Sequence, residues 1–185
     1  MHGYTAKDLG RAFRTVRQNT IQIAEDIPAD KYGFRPAEGA QSVAETLAHI
    51  AVIPGIQMRI HGDRMTELKV EFFQTNMPLL MAEAAQLTTK FDIVKALHNE
   101  GEEFASFLER LPDEALAEEV HLPPHVQPSV KTRFEMLMSV KEHEMHHRAQ
   151  LMLIERMLGL VPHLTRRMQE RMAQMPQPKA GAQGA

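Results

Sequence analysis

"TRFEMLMSVKEHEMHHRAQLMLIERMLG", residues 132–159, carries the longest helical pattern in the sequence. Thr132 and Glu135 have the spacing of a capping box, which predicts that a helix begins there, and Gly159 predicts its end. Between these signals a stripe of residues recurs in steps of three and four, as on the core-facing side of an amphipathic helix. The stripe consists of Met136, Val140, His143, His147, Leu151, Ile154 and Leu158. Two histidines therefore interrupt a helix face that is otherwise apolar.

Three other segments show the same helical spacing, and they are residues 5–27, 42–61 and 88–111. The first and third end at prolines, Pro28 and Pro112, and the second begins with a capping box formed by Ser42 and Glu45. Pro54 lies inside the second segment and predicts a kink, because proline removes one backbone donor from a helix. No run of alternating β-branched residues is long enough to predict a strand.

The connections between these segments complete the prediction of the fold. Residues 62–88 contain one amphipathic patch, which predicts a crossover that carries a short helix broken near Pro78. Residues 121–130, "HLPPHVQPSV", contain three prolines and predict a second connection that is rich in turns. We therefore expect an all-α fold, a four-helix bundle with a long crossover connection between its second and third helices.

Length and composition limit the classes of protein that the chain can belong to. Its 185 residues, 43% hydrophobic and 24% charged, predict one bundle domain over residues 1–162. Residues 163–185 are expected to form a C-terminal extension, a short helix followed by a disordered tail at 176–185. The formal net charge is −3 with charges of both signs interspersed, which argues against a nucleic-acid partner.

The sequence also argues against a membrane protein and against a secreted protein. No apolar window approaches the length of a membrane span, and the N-terminal residues have no apolar leader segment. The chain contains no cysteine, which excludes disulfides and thiolate ligands. We therefore expect a cytoplasmic protein with neither a membrane nor a nucleic acid as its partner.

His143 and His147 are candidate metal ligands. They are four residues apart and lie one above the other on the same helix face, the spacing that zinc sites on helices use. His146 lies about 100° away around the helix and points elsewhere. A metal would satisfy one nitrogen of each imidazole inside a core, whereas a solvated or hydrogen-bonded pair of histidines is the plainer alternative.

His49 is the candidate for a third ligand. It lies roughly 18 Å from the end of its helix at His61, while His143 and His147 lie roughly 16 and 22 Å from the start of theirs at Thr132. If the two helices run antiparallel with these ends level, the three imidazoles meet at the same height. The remaining histidines are expected to be solvated at the surface, and they are His2, His61, His98, His121, His125 and His163.

Two stretches of the sequence resemble the signatures of the DinB-like (DinB/YfiT) superfamily of metalloenzymes. Residues 27–51, "IPADKYGFRPAEGAQSVAETLAHIA", are similar to the first signature, a loop followed by a serine-capped helix with a histidine. Residues 142–151, "EHEMHHRAQL", are similar to the second, with Ala149 in place of the usual glycine. The two occur in the family's order and separation, and the resemblance covers about residues 5–160.

The resemblance implies a bundle that is often dimeric and binds a divalent metal ion through His49, His143 and His147. The metal ion implied by the resemblance is nickel, zinc, iron or manganese. Characterised members include transferases and isomerases that use a low-molecular-weight thiol, so such a thiol is a possible co-substrate here. The family name refers to DNA damage and gives no indication of DNA binding.

Three neutral imidazoles would leave a metal ion with an open position, as in catalytic rather than structural sites. The sequence therefore predicts a metal-dependent enzyme that acts on a small molecule, a thiol S-transferase or a hydrolase, in which Glu144 and Gln150 are the candidate catalytic residues. The alternative is a non-catalytic metal-binding or stress-response bundle that acts as a dimeric interaction module. An open coordination position beside a pocket would favour the enzyme.

Apolar residues in the third helix and in the crossover exceed what one small core is expected to hold. They are Phe104, Phe107 and Leu108, together with Phe72, Phe73, Leu79 and Leu80. A surplus of exposed apolar side chains often marks an interface between proteins. We therefore expect a homodimer.

Overall fold

The structure is a computed structural model that describes residues 3–175. Its helices are α1 (Ala6–Asp26), α2 (Val43–Gly62), α3 (Val70–Gln86), α4 (Lys90–Arg110), α5 (Arg133–Met157) and α6 (His163–Gln174). Its strands are β1 (Glu119–His121) and β2 (Val130–Thr132). Helices α1, α2, α4 and α5 form the bundle, in which α1 and α2 each pack against both α4 and α5. The predicted all-α bundle is confirmed.

Capping explains why the predicted ends of the four bundle helices lie within two residues of the observed ends. The side chains of Thr5, Ser42 and Thr132 each accept a hydrogen bond from the backbone three residues later, and each forms a complete capping box. Thr89 caps α4 in the same way with its hydroxyl. Beyond the end of α5, Gly159 has a φ of +79°, a conformation that favours glycine.

Helices α2 and α5 run antiparallel, as the packing of their ends shows. The first half of α2 contributes Leu47 to the same cluster of buried side chains as Ile154, near the end of α5. The second half of α2 contributes Ile56 and Ile60 to another cluster with Met136, near the start of α5. The prediction that His49 lies level with His143 and His147 assumed this antiparallel orientation.

The predicted surplus of exposed apolar residues is partly wrong. Phe104 and Leu108 are only 0% and 1% exposed, and the Phe104 ring packs edge-on against Phe13 with 4.8 Å between centroids. Leu80 is buried as well, whereas Leu79 is exposed. Three of the seven residues therefore belong to the core, and three others are partly buried against it: Phe72, Phe73 and Phe107. The homodimer stays a prediction.

The crossover differs from the prediction because α3 is not broken at Pro78. The helix continues through this residue from Val70 to Gln86. Pro78 and Gln74 are both exposed, so the carbonyl group that proline leaves without its helical donor can be hydrated. Helix α2 likewise continues through Pro54.

A short antiparallel ribbon lies where the sequence predicted only turns. In it Val120 pairs with Lys131, and each strand has three residues. The ribbon is tied to α2 through Arg133, whose guanidinium donates to Glu118 at 2.8 Å and contacts Nδ1 of His61 at 3.0 Å. His61 is therefore buried, and the expectation that it is solvated at the surface is wrong.

The C-terminal residues continue past the bundle into α6. Arg166 of this helix donates to Asp26 at 2.6 Å, and Nε2 of His163 lies 3.1 Å from the side-chain oxygen of Asn19. His163 is buried, which again corrects the expectation of a surface histidine. The tail predicted at 176–185 lies outside the described residues. Among residues 3–175, none of the helices has the length and apolar character to cross a membrane.

Candidate metal centre

The structure brings His49, His143 and His147 together between α2 and α5, and we call them the three-histidine group. Each is half-buried. His49 lies between the fully packed residues Ala48 and Ile50 on α2, and the α5 histidines continue the stripe that contains Val140 and Leu151. The group thus forms a polar cluster, surrounded by apolar residues, where α2 and α5 are in contact.

The ring nitrogens of the group converge on a small volume. Nε2 of His143 lies 3.0 Å from Nε2 of His49 and 3.1 Å from Nε2 of His147. One ring nitrogen of each residue lies within 4.8 Å of those of the other two. The ring planes meet at 63° to 81°, so the rings point edge-first toward a common centre rather than stacking.

Pairwise hydrogen bonds do not account for this arrangement. Nε2 of His143 has two close nitrogen neighbours, yet an imidazole nitrogen carries either one proton or one lone pair. One of the two contacts would therefore lack a proper donor and acceptor. A cation at the centre would accept a lone pair from all three nitrogens. Tetrahedral zinc, with Zn–N distances of about 2.0–2.1 Å, separates its nitrogens by roughly 3.3 Å, close to the spacing found here.

The surroundings also favour neutral imidazoles, the form that binds metals. Burial lowers the pKa of His143 to about 4, with further contributions from His147 and His49. Burial, and then His147, lowers the pKa of His49 as well. Both effects disfavour a positive charge on rings that face one another.

Gln150 fixes the orientation of His147. Its side-chain oxygen lies 2.9 Å from Nδ1 of His147, and its nitrogen lies 3.2 Å from Nε2 of His146. If the amide oxygen accepts from Nδ1–H, the proton is held there and Nε2 of His147 keeps its lone pair for a metal. Such outer partners orient most metal-binding histidines. Gln150 thus contacts a candidate ligand, and its predicted catalytic role stays a prediction.

Glu144 is buried between bundle helices, and its predicted catalytic role stays a prediction. It is 1% exposed, and both of its carboxylate oxygens lie 3.0 Å from Nε of Arg17. One buried guanidinium thus engages both carboxylate oxygens, and their burial keeps them from contact with a substrate. Glu144 therefore belongs to the packing of the bundle, behind the histidines.

A cavity of about 310 Å³ adjoins the three-histidine group. The lining residues come from the α1–α2 loop, α2 and α5, and they are Pro36, Ala40, Gln41, Thr46, His147, Gln150, Leu153 and Ile154. His147 belongs both to the group and to the cavity wall. The loop side is held in place by Arg35, which donates to the carbonyl oxygen of Ala40 at 2.7 Å and to Glu45 at 2.6 Å. The lining contains no carboxylate, lysine or arginine.

Arg17 is a buried charged residue that was not predicted, although the sequence contains a signal for it. Phe13, Arg17 and Ile21 follow one another in steps of four, so Arg17 interrupts an apolar stripe of α1 as His143 does on α5. Glu144 likewise follows Val140 by four residues. A charged residue at such a position predicts a buried partner on another helix.

Comparison with known proteins adds independent findings. A family model of the DinB superfamily matches residues 12–151. The chain is 27% identical over 147 residues to the uncharacterised protein YjoA of Bacillus subtilis strain 168, a match that covers 80% of this chain and 86% of YjoA.

Solved structures of similar proteins have the same fold. The crystal structure of the DinB-like YjoA gives a TM-score of 0.62 at 25% identity, and covers 82% of this chain and 92% of that one. A DinB-like protein from Bacillus cereus ATCC 10987 gives 0.66 at 13% identity, with 87% and 97% covered. At that identity the second likeness concerns the fold alone.

Proposed function

The chain belongs to the DinB superfamily, and on that premise we propose that it is a divalent-metal-dependent enzyme acting on a small molecule by thiol S-transfer or hydrolysis. One observation carries the proposal: the ring nitrogens of the three-histidine group converge beside a cavity. In residues 3–175 no fourth histidine, aspartate or glutamate joins the group. Three ligands beside a cavity are typical of a catalytic site with an open position.

In this proposal His49, His143 and His147 hold the metal, and Gln150 keeps His147 in the required tautomer. A bound divalent ion supplies Lewis-acid chemistry and lowers the pKa of a water or thiol at its open position. Imidazole donors suit zinc, nickel and iron, and manganese also agrees with the family resemblance. The chain has no cysteine, so a reacting thiol would be a second small molecule.

The cavity indicates the kind of substrate. Its lining is aliphatic apart from two amides, a hydroxyl and the imidazole of His147, and it offers no charged side chain to pair with an ionic group. We infer that the part of the substrate that enters it is uncharged and has an apolar portion. Gln41, Thr46 and Gln150 provide hydrogen-bonding groups that can orient it.

The test combines metal analysis with two activity assays. Purified protein is expected to contain about one equivalent of metal per chain, and to catalyse either hydrolysis of neutral esters or conjugation of a thiol to a neutral electrophile. Ala40→Phe fills the cavity and should abolish turnover while metal content stays unchanged. Ala37→Phe is the matched control, because Ala37 is exposed on the same loop and is not among the lining residues.

The results separate the enzyme from the alternative function. Bound metal without turnover toward either class of substrate would favour a non-catalytic metal-binding bundle that acts in a stress response or as an interaction module. Protein that takes up no divalent metal would contradict both. The proposal also keeps a cytoplasmic homodimer without nucleic-acid or membrane partners as expectations.

A further inference from the structure

Arg17 lies at the centre of the bundle and contacts the other three bundle helices. Its side chain is 4% exposed. Nε donates to the carboxylate of Glu144 of α5 at 3.0 Å, Nη1 donates to the carbonyl oxygen of Leu97 of α4 at 3.0 Å, and Nη2 donates to that of Ile50 of α2 at 3.1 Å. Nη2 also lies within ion-pair distance of Glu144. One guanidinium on α1 therefore ties α2, α4 and α5 to one another.

The contact with Ile50 depends on Pro54. The carbonyl group of a helical residue normally accepts from the N–H group four residues later, and proline has none. The carbonyl of Ile50 is thus left without its usual donor in the middle of α2, where Ile50 is only 1% exposed. Arg17 supplies the missing donor, so the proline creates an attachment point for the arginine.

The path of the Arg17 side chain depends on Gly101. A Cβ atom at this position of α4 would lie 2.7 Å from Cγ of Arg17 and 3.1 Å from its Cδ. Both atoms belong to the part of the side chain near the backbone, which cannot swing away while the guanidinium keeps its partners. The absence of a side chain at Gly101 is therefore required for Arg17 to reach Glu144.

The two attachment points lie next to candidate metal ligands. Ile50 follows His49 on α2, and Glu144 follows His143 on α5. We infer that Arg17 is a positioning residue that sets the placement of His49 relative to His143, and thereby the affinity and geometry of the metal centre. This inference rests on the proposed metal-dependent function. A site of this kind needs its ligands held to within about 0.5 Å, which apolar packing between two helices does not ensure by itself.

The alternative role for Arg17 is general stability of the bundle. The two roles are separable, because a buried ion pair can often be replaced by apolar residues of similar volume without loss of stability. Arg17→Met alone would leave Glu144 buried and unpaired, and the protein could fail to fold. The double variant Arg17→Met/Glu144→Met avoids that problem and removes the tie between α2 and α5.

The experiment measures binding of Co²⁺ by its visible absorption spectrum and binding of Zn²⁺ by competition with a chelating dye, on metal-free full-length protein. The double variant should fold but melt below wild type, because the carbonyl of Ile50 loses its donor. It should bind both ions about tenfold more weakly or worse, the size of effect seen for outer partners of metal ligands. Its Co²⁺ spectrum should differ from that of wild type.

Two further variants make the result specific. Gly101→Ala should weaken Co²⁺ binding although Arg17 and Glu144 are both retained, because the new methyl group displaces Arg17. Arg14→Met is the matched control: Arg14 lies one turn away on α1 and pairs with Glu102 and Glu109 outside the core, so its loss should leave affinity and spectrum unchanged.

The outcomes distinguish failure of the inference from failure of the proposed function. A folded double variant with wild-type Co²⁺ affinity and spectrum would overturn the positioning role and leave the metal centre intact. Wild-type protein that binds neither ion would overturn the proposed function itself, and the positioning role with it. Equal weakening by Arg14→Met would show that any loss of an arginine on α1 has this effect, which also overturns the inference.

Discussion

Glu155 provides a test of the electrostatics of the fold away from the metal centre. This residue of α5 is 0% exposed, and neither carboxylate oxygen has a hydrogen-bond partner within the described part of the chain. Burial, and then the nearby Asp26, raises the pKa of Glu155 to about 7 from its ordinary value of 4.5. The folded protein therefore holds a proton on Glu155 at pH values where the unfolded chain has lost it.

The sign and size of the effect follow from that difference. The stability that the neutral carboxyl group contributes is present below about pH 4.5 and is lost as the pH rises through about 7. The pKa difference corresponds to about 3 kcal/mol when the pH is well above 7. Glu155→Gln removes the charge and keeps the shape, so the variant should gain about 2–3 kcal/mol over wild type between pH 5 and pH 8.

The assay is urea unfolding of both proteins at pH 5 and pH 8, with a chelator present so that metal binding does not contribute. Glu142→Gln serves as the control, since Glu142 is exposed on the same helix and its loss should change stability by less than about 0.5 kcal/mol at either pH. A difference between wild type and Glu155→Gln that is the same at both pH values would refute the reasoning.

Four further predictions concern metal binding and assembly. Alanine at His49, His143 or His147 should weaken metal binding in equilibrium dialysis, whereas His146→Ala should retain it; a full equivalent at wild-type affinity in His49→Ala would exclude a three-histidine centre. Metal-free protein should stay folded but melt at a lower temperature in calorimetry. In dialysis at decreasing pH, metal should be lost only well below the ordinary imidazole pKa of about 6.5, because ligating imidazoles must be neutral and burial lowers the pKa of His143 and His49. Light scattering at micromolar concentration should give a dimer mass, and a monomer mass would count against it.

The four helices of the bundle could be predicted because the sequence signals that define a helix are local. Capping residues such as Ser42 and Thr132 act within four residues, and apolar stripes repeat along each helix, so both can be recognised without knowing what packs against them. The meeting of His49 with the α5 histidines also followed from helix rise, once the helices were assumed antiparallel.

Long-range polar pairing could not be predicted in this way. Glu144 and Gln150 look alike as polar neighbours of the histidines, yet one is buried against Arg17 and the other faces the cavity. The sequence showed that Pro54 removes a donor, but it could not show that an arginine 37 positions earlier replaces it. The partner of a buried charge depends on tertiary geometry, which no periodicity encodes.

The ribbon of β1 and β2 was not predicted, for a different reason. Three residues per strand are too few to show an alternating pattern, and the stretch between the strands is dominated by proline. Its pairing is supported instead by Arg133, which joins Glu118 to His61.

The two walls of the cavity have different origins, and this matters for how such a protein can diverge. Helix α5 provides His147 and Gln150, which are joined by a hydrogen bond beside the other two histidines of the group. The opposite wall is loop residues 36–41, which lie outside the core and are anchored by Arg35. Substitutions in that loop can reshape the cavity while the three histidines keep their positions. Under the proposed function, exchange of this one surface loop changes which small molecule fits, and the three-histidine group is inherited unchanged.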